Sequence, residues 1–352
     1  MKLTSESGIQ NNLFSDEKSR ILLVEDAESI LIAMNDYLTN KFLVSACNNM
    51  DSAVCEIDKS IESGKFFDLV VSDIRLKESS GFDLVRYVKE KSPRTRVALI
   101  TAYEINDFIN YIYDESIDQV ITKHSNLSLH DIQVMANKLI YGDIFGVDKY
   151  FPDIKVFFPS EMKNSIVPGN RQMFSLVLKS TEDKRYWMNI IAKMMYEKKK
   201  APVSVIKLIL DEIITNAMVR APVHEDGDYK YQVKTAGADI LKPLDNIVLD
   251  EEDFVLLQYG IYDDWIILAC QDPHGTLRKK EILYRLHRQL SKDPKTKLPI
   301  GIQDSHGRGI FLLREHLTSL VFNIQKDKKT EVLAFYHTSE TQPYKNISIY
   351  EI

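Results

Sequence analysis

The stretch Leu69-Val70-Val71-Ser72-Asp73-Ile74-Arg75-Leu76-Lys77-Glu78-Ser79-Ser80-Gly81-Phe82-Asp83-Leu84-Val85 decides the fold of the first part of the chain. A short, almost continuous apolar run closes on an acid and, after a polar interval, gives way to apolar residues at helical spacing. Runs of this kind, without strict alternation, mark strands buried on both faces, as in a parallel sheet flanked by helices. Outward from it the same unit recurs, with strands predicted over 21–24, 43–46, 69–72, 97–100 and 119–122 and a last helix over 127–141. The pattern predicts a doubly wound α/β domain with a five-stranded parallel sheet over 19–142, after a loose tail over 1–18. Gly142 and Gly146 mark its end.

In a parallel sheet, ligands bind outside the carboxyl ends of the strands. Glu25 and Asp26 close the first predicted strand, Asp73 the third and Thr101 the fourth, and Lys123 follows the fifth. Three carboxylates converging on one place repel one another unless a divalent cation sits among them, and hard oxygen ligands suit Mg2+. A carboxylate can also accept a phosphoryl group when a metal ion, an ammonium and a hydroxyl neutralise its oxygens. The segments ILLVEDAESI, LVVSDIRLKESSGFDLV, ALITAY and VITKHS resemble, in order and spacing, the response-regulator receiver family. That resemblance implies phosphorylation of Asp73, Mg2+ on Glu25, Asp26 and Asp73, a switch hydroxyl on Thr101 and a phosphoryl contact from Lys123. The chain departs from the family at Val120, where an aromatic residue is usual, and at His124, where a proline is usual. The alternative is a flavodoxin-like domain with acidic loops and no phosphotransfer. His130-Asp131 falls in the last helix and reads as solvated surface.

The second part reads as an α+β sandwich. A connecting segment over 143–180 leads to a domain over 181–340, with helices predicted over 184–197 and 203–219, the latter ended by Pro222. Hairpins follow over 254–259 with 265–271 and over 320–325 with 331–337, and 341–352 is expected to be a C-terminal tail. Glu212 and Asn216 stand four residues apart on one helix face, with Arg220 a turn further. Asp272 ends a strand with Gly275 close behind, Gly307 and Gly309 precede an apolar helix, and Thr330 lies on a late strand. Glycines at a helix start let backbone amides reach phosphate oxygens.

Through LILDEIITNAMVRAPV, IILACQDPHGTL, HGRGIFLLREH and KKTEVLAFY, this half resembles the ATP-binding fold of histidine kinases, DNA gyrase and anti-sigma-factor serine kinases. The resemblance implies ATP and Mg2+ as cofactors. Asn216 would hold Mg2+ on the phosphates, Glu212 would be a general base, and Asp272 would bond the adenine amino group. Gly307 and Gly309 would cradle phosphate, Thr330 would support the adenine contact, and Arg220 and Gly275 belong to the same site. His274 and Thr276 stand where glycines are commonest. The stretch 277–299 carries eight Lys and Arg against two acids and reads either as a basic lid over ATP or as a solvated amphipathic helix.

Residues 131–223 contain no histidine, which argues against a histidine autokinase. The reading that follows is a response regulator, served by a separate cognate histidine kinase, whose ATP-binding output acts as a serine/threonine kinase on a partner protein. The alternative is a nucleotide-gated docking module without catalysis. A formal charge of -6 argues against a nucleic-acid partner. Three cysteines without a paired framework, a polar N-terminus and no long apolar run point to a cytoplasmic protein. Oligomeric state stays open, with a homodimer through the last receiver helices and strand as one option.

Overall fold

Near-continuous apolar runs become strands that are covered on both sides, and the computed structural model shows this in its first sheet. It describes residues 18–101, 117–122, 128–158, 166–234, 241–243, 246–290, 300, 308–339 and 346–352. Strands β1 (Arg20–Val24), β2 (Leu43–Cys47), β3 (Leu69–Asp73), β4 (Arg96–Thr101) and β5 (Gln119–Thr122) form one sheet in the order β2-β1-β3-β4-β5. Ile21, Leu22, Leu23, Leu69, Val97, Ala98 and Leu99 lose all solvent contact there. Helices α1 (Glu28–Leu38), α2 (Met50–Glu62), α3 (Gly81–Lys91) and α4 (Leu129–Tyr141) accompany the sheet. Side chains cap three of them, with Asn49 accepting from Ser52 N, Ser80 from Phe82 N and Ser128 from Asp131 N. Gly142, left-handed at φ 71°, ends α4.

The C-terminal half is built on a seven-stranded mixed sheet. Its strands are β6 (Lys155–Phe157), β7 (Gln172–Leu178), β8 (Val255–Tyr262), β9 (Trp265–Asp272), β10 (Ser319–Gln325), β11 (Lys329–His337) and β12 (Asn346–Glu351). Their order is β12-β10-β11-β9-β8-β7-β6, with antiparallel pairing in the middle and parallel pairs at both edges. The two predicted hairpins are β8–β9 and β10–β11. Helices α5 (Thr181–Lys199) and α6 (Val203–Thr215) pack on each other, and α6 packs on β9. Helix α7 (Lys279–Leu290) packs on α8 (Arg308–His316). Among the described residues no helix is long and apolar enough to cross a membrane.

Two boundary expectations are corrected. The connecting segment contributes β6 and β7 to the sheet, and the supposed tail contributes β12, which buries Ile347, Ile349 and Tyr350 against β10. A six-residue strand whose partner lies far away in sequence shows itself only as weak alternation. By compactness the chain divides into units over 1–95 and 96–352, so the last two strands of the first sheet belong to the second unit. Within the second unit β5 lies against β12, and Lys138 of α4 reaches Asn323 of β10.

Strand alternation gives the C-terminal sheet two distinct faces. Asp272 is registered with Thr330, and Cys270 and Phe322 with Val332, all on the side of α6 and α8. Asn323 is registered with Glu331 on the other side, where Phe151 meets Phe335, Trp265 and Tyr262 at 4.9, 5.9 and 5.1 Å between ring centroids. On that side Lys138 of α4 is 1% exposed, and its Nζ donates to Asn323 Oδ1 at 3.0 Å and to Tyr150 Oη at 2.9 Å.

Burial pushes the Lys138 ammonium down from 10.5 to about 7, against the opposing pull of Glu331. An unfolded lysine keeps its proton up to its ordinary value, so between those two pH values the unfolded chain binds more protons than the folded one. Stability contributed by this group therefore rises with pH across that window. Urea unfolding of wild type and Lys138→Met from pH 6.5 to 10 should show this rise in wild type and a flatter profile in the variant.

Candidate functional site

Parallel pairing of β1 with β3 sets Val24 beside Ser72, so the residues that follow each strand meet at one edge. Glu25, Asp26 and Asp73 each bring a carboxylate oxygen there, all within 4.8 Å of one another. Glu25 is 1% exposed, and its Oε1 accepts from Ala27 N at 3.2 Å, which shapes the turn into α1. Asp73 Oδ1 accepts from Arg75 N at 3.3 Å, and Ser72 Oγ donates to the Asp73 carbonyl at 2.9 Å. Octahedral Mg2+ with bonds of about 2.1 Å holds its oxygens roughly 3 to 4 Å apart. Three hard carboxylate oxygens this close together could hold such an ion.

Gly81 is a part of this site that sequence reasoning missed. Its amide donates to the Ile74 carbonyl at 2.8 Å, and any Cβ on it would overlap the Asp73 carbonyl. The signal was present as a lone glycine after two serines, but only the folded chain shows what it lies against. Thr101 is the buried last residue of β4. Lys123, His124 and Gly307 lie outside the described residues. Val120 is buried on β5 beside a small void also lined by Lys279, Leu283, Ile347 and Ile349. The bulk of an aromatic ring at Val120 would have to displace those neighbours.

The second group meets around a cavity of about 340 Å3 in the C-terminal half. Asn216, Arg220, Asp272 and Thr330 line it together with Tyr229, Thr276, Arg278, Glu281, Arg285 and Asp327. Helix α6 ends in a π-turn over Asn216–Arg220, closed by Ala221 N on the Asn216 carbonyl at 2.9 Å. The wider turn keeps residues four apart nearly in line. Glu212 Oε1 accepts from Asn216 Nδ2 and from Arg220 Nη1, each at 3.1 Å, and Arg220 also donates to Asn216 Oδ1. Glu212 is not on the described cavity wall. Gly309, in the first turn of α8, lies against it, and a Cβ there would overlap the carboxylate.

Asp272 is 6% exposed, and its Oδ1 accepts from His274 N at 2.9 Å and Gly275 N at 3.0 Å. Burial pushes its carboxyl up, and those two amides oppose the shift. Thr330 Oγ1 is near enough to favour the charged form of Asp272, yet it has no partner at hydrogen-bonding geometry. Gly275 holds φ 63°, with the Gln325 carbonyl where a Cβ would be. His274 Nε2 lies 2.9 Å from Oδ1 of the buried Asp253, which also accepts from Lys230 Nζ at 2.7 Å and Tyr231 Oη at 2.6 Å. This knot fixes the segment that carries Tyr229. Asp253 and Tyr229 carried no motif and were missed.

The described part of the basic stretch is a helix with an apolar side and a charged side. Helix α7 buries Ile282, Leu283 and Leu286, while Arg278, Glu281 and Arg285 face the cavity. Arg278 pairs with Asp327 at 2.5 Å, and Arg285 pairs with Glu281.

Residues 21–132 match the family described as the response regulator receiver domain. The chain is 54% identical over 37 residues to the response regulator protein PilR of Pseudomonas aeruginosa, covering 10% of this chain and 8% of that protein. It is 28% identical over 114 residues to a cyclic di-GMP phosphodiesterase of Thermotoga maritima, covering 32% and 29%. It is 24% identical over 109 residues to the response regulator protein VraR of Staphylococcus saprophyticus, covering 31% and 51%. The chain thus spans at most about half the length of these curated relatives. A BeF3-activated DrrB receiver domain aligns with 35% of this chain and 98% of its own at 21% identity, TM-score 0.30. A receiver domain protein from Clostridium thermocellum aligns with 35% and 95% at 19% identity, TM-score 0.31.

Incubation with acetyl phosphate and Mg2+ should label wild type, and Asp73→Asn should remove the label. Gly81→Ala, which touches no phosphoryl oxygen, should cut the labelling rate about tenfold or more by displacing the Asp73 backbone. Intact-mass spectrometry over time reads both.

Proposed function

We propose that this chain, whose residues 21–132 form a response regulator receiver domain, accepts a phosphoryl group on Asp73 from a cognate histidine kinase and thereby controls nucleotide binding in its C-terminal half. An Asp73 carboxylate oxygen attacks phosphorus, and the phosphorus–nitrogen bond of the donor phosphohistidine breaks as the imidazole leaves. Glu25, Asp26 and Asp73 would hold Mg2+, whose charge offsets that of the phosphoryl oxygens. Lys123 and Thr101 are assigned the remaining donors.

The reading of the C-terminal half rests on one observation: Asp272, Thr330 and Asn216, spread over more than a hundred residues of sequence, line a single cavity. A buried carboxylate beside an unpartnered buried hydroxyl suits the amino group and ring nitrogen of adenine. Asn216 offers an amide oxygen for Mg2+ on the phosphates, and Arg220, Arg278 and Arg285 offer guanidinium forks for phosphate oxygens. Glu212, the residue assigned as base, is tied to Arg220 and Asn216 and set back from the cavity. A carboxylate held by a guanidinium and an amide, and off the cavity wall, is poorly placed to reach a substrate hydroxyl. That pairing favours nucleotide-gated docking of a partner protein over phosphoryl transfer to it. Free thiols at Cys47, Cys55 and Cys270 suit a reducing cytoplasm.

Calorimetry with ATP and Mg2+ should give binding that weakens about tenfold or more in Asp272→Asn, since the amino-group acceptor loses its charge. Asn216→Ala should abolish the Mg2+ dependence. Under the docking reading, γ-labelled ATP leaves no label on candidate partners with or without acetyl phosphate. Label that disappears in Asn216→Ala would restore the kinase reading, and absence of nucleotide binding would overturn both.

A further inference from the structure

A lysine amine withdrawn from water is retained only where its hydrogen-bonding groups find partners. Lys138 meets that condition through elements distant in sequence. Besides its bonds to Asn323 Oδ1 and Tyr150 Oη, its ammonium stands over the Tyr150 and Tyr350 rings, 4.6 and 4.5 Å from their centroids. Asn323 Nδ2 donates in turn to Glu331 Oε2 at 2.8 Å, and the same oxygen accepts from Gly146 N at 3.1 Å. One polar network thus joins α4, the segment that follows it, β10 and β11.

Its position on β11 gives it reach. Glu331 and Thr330 are consecutive, so strand alternation sends Glu331 toward Lys138 and Thr330 into the cavity, where it is registered with Asp272. An apolar contact between α4 and the sheet could slide by small amounts. A buried ammonium that moves must find another full set of partners, so the contact has discrete arrangements. Hydrophobic residues of similar volume often serve stability as well as a buried ion does, and stability alone therefore does not account for this lysine.

We propose that Lys138 is the positioning residue through which the receiver acts on the C-terminal cavity, by way of Asn323 and Glu331 to Thr330. Phosphorylation alters how α4 engages the sheet, and β11 carries the change to its opposite face. The proposal rests on the nucleotide reading only for what the cavity then does.

Amide hydrogen exchange of Lys329–His337 in the full chain with Mg2+, with and without beryllofluoride, tests it. In wild type, beryllofluoride should change exchange in this strand about fivefold or more. In Lys138→Met the change should fall to about twofold or less, while labelling of Asp73 by acetyl phosphate stays at the wild-type rate. An equal response in both proteins, or none in wild type, would overturn the proposal. If Lys138→Met does not fold, Glu331→Gln takes its place, with the same two outcomes. ATP affinity measured in parallel separates the two claims. Wild type that binds no ATP yet shows the Lys138-dependent exchange response defeats the nucleotide reading and leaves the coupling standing.

Discussion

Both faces of the C-terminal sheet are occupied, and much else follows from that constraint. On one side α6 and α8 leave a cavity between themselves and β9, β10 and β11. On the other, α4 and the aromatic side chains of Tyr150 and Phe151 close over β9, β10 and β11. A strand buried on both faces must satisfy two sets of neighbours at once, because successive side chains point in opposite directions. Thr330-Glu331 is the place where this is sharpest: a hydroxyl for the cavity is followed at once by a carboxylate for a buried lysine.

The cavity wall is held by charge as much as by packing. Asp253 draws Lys230, Tyr231 and His274 around one buried carboxylate, and so joins the loop that bears Tyr229 to the turn after Asp272. Lys279 does similar work at the root of α7, where its Nζ donates to the carbonyls of Ile117 and Asp118 at 2.9 and 2.8 Å and its own amide donates to Glu351 Oε2 at 2.7 Å. Helix α7, whose Arg285 faces the cavity, is thereby fastened to the chain that enters β5.

The receiver was legible because its chemistry sits at strand ends and its strands are short apolar runs, so Glu25, Asp26 and Asp73 stand out in the sequence itself. Gly81 was not legible in the same way, since its importance is a steric clash with the Asp73 carbonyl. In the other half, Asn216, Asp272 and Thr330 were readable as a spaced pattern. Lys138, Asp253 and β12 were not, because each matters through a partner remote in sequence: Asn323, His274 and β10. The ion pair between Glu212 and Arg220 shows the opposite limit. Their spacing was visible, but an i, i+8 contact across a π-turn takes its meaning from backbone geometry.

The packing around Val120 bears on how such a chain can be cut and recombined. With Ile117, Gln119 and Val120 facing Ile347, Ile349 and Leu283, the edge of the first sheet has the character of an internal seam. A fragment ending at Gly142 would bare that edge and leave the buried Lys138 without Tyr150, Asn323 and Tyr350. The glycine that marks the end of the first domain in the sequence is therefore a poor place for scissors, and exchange of outputs between such proteins would have to carry β12 and α4 as a matched pair.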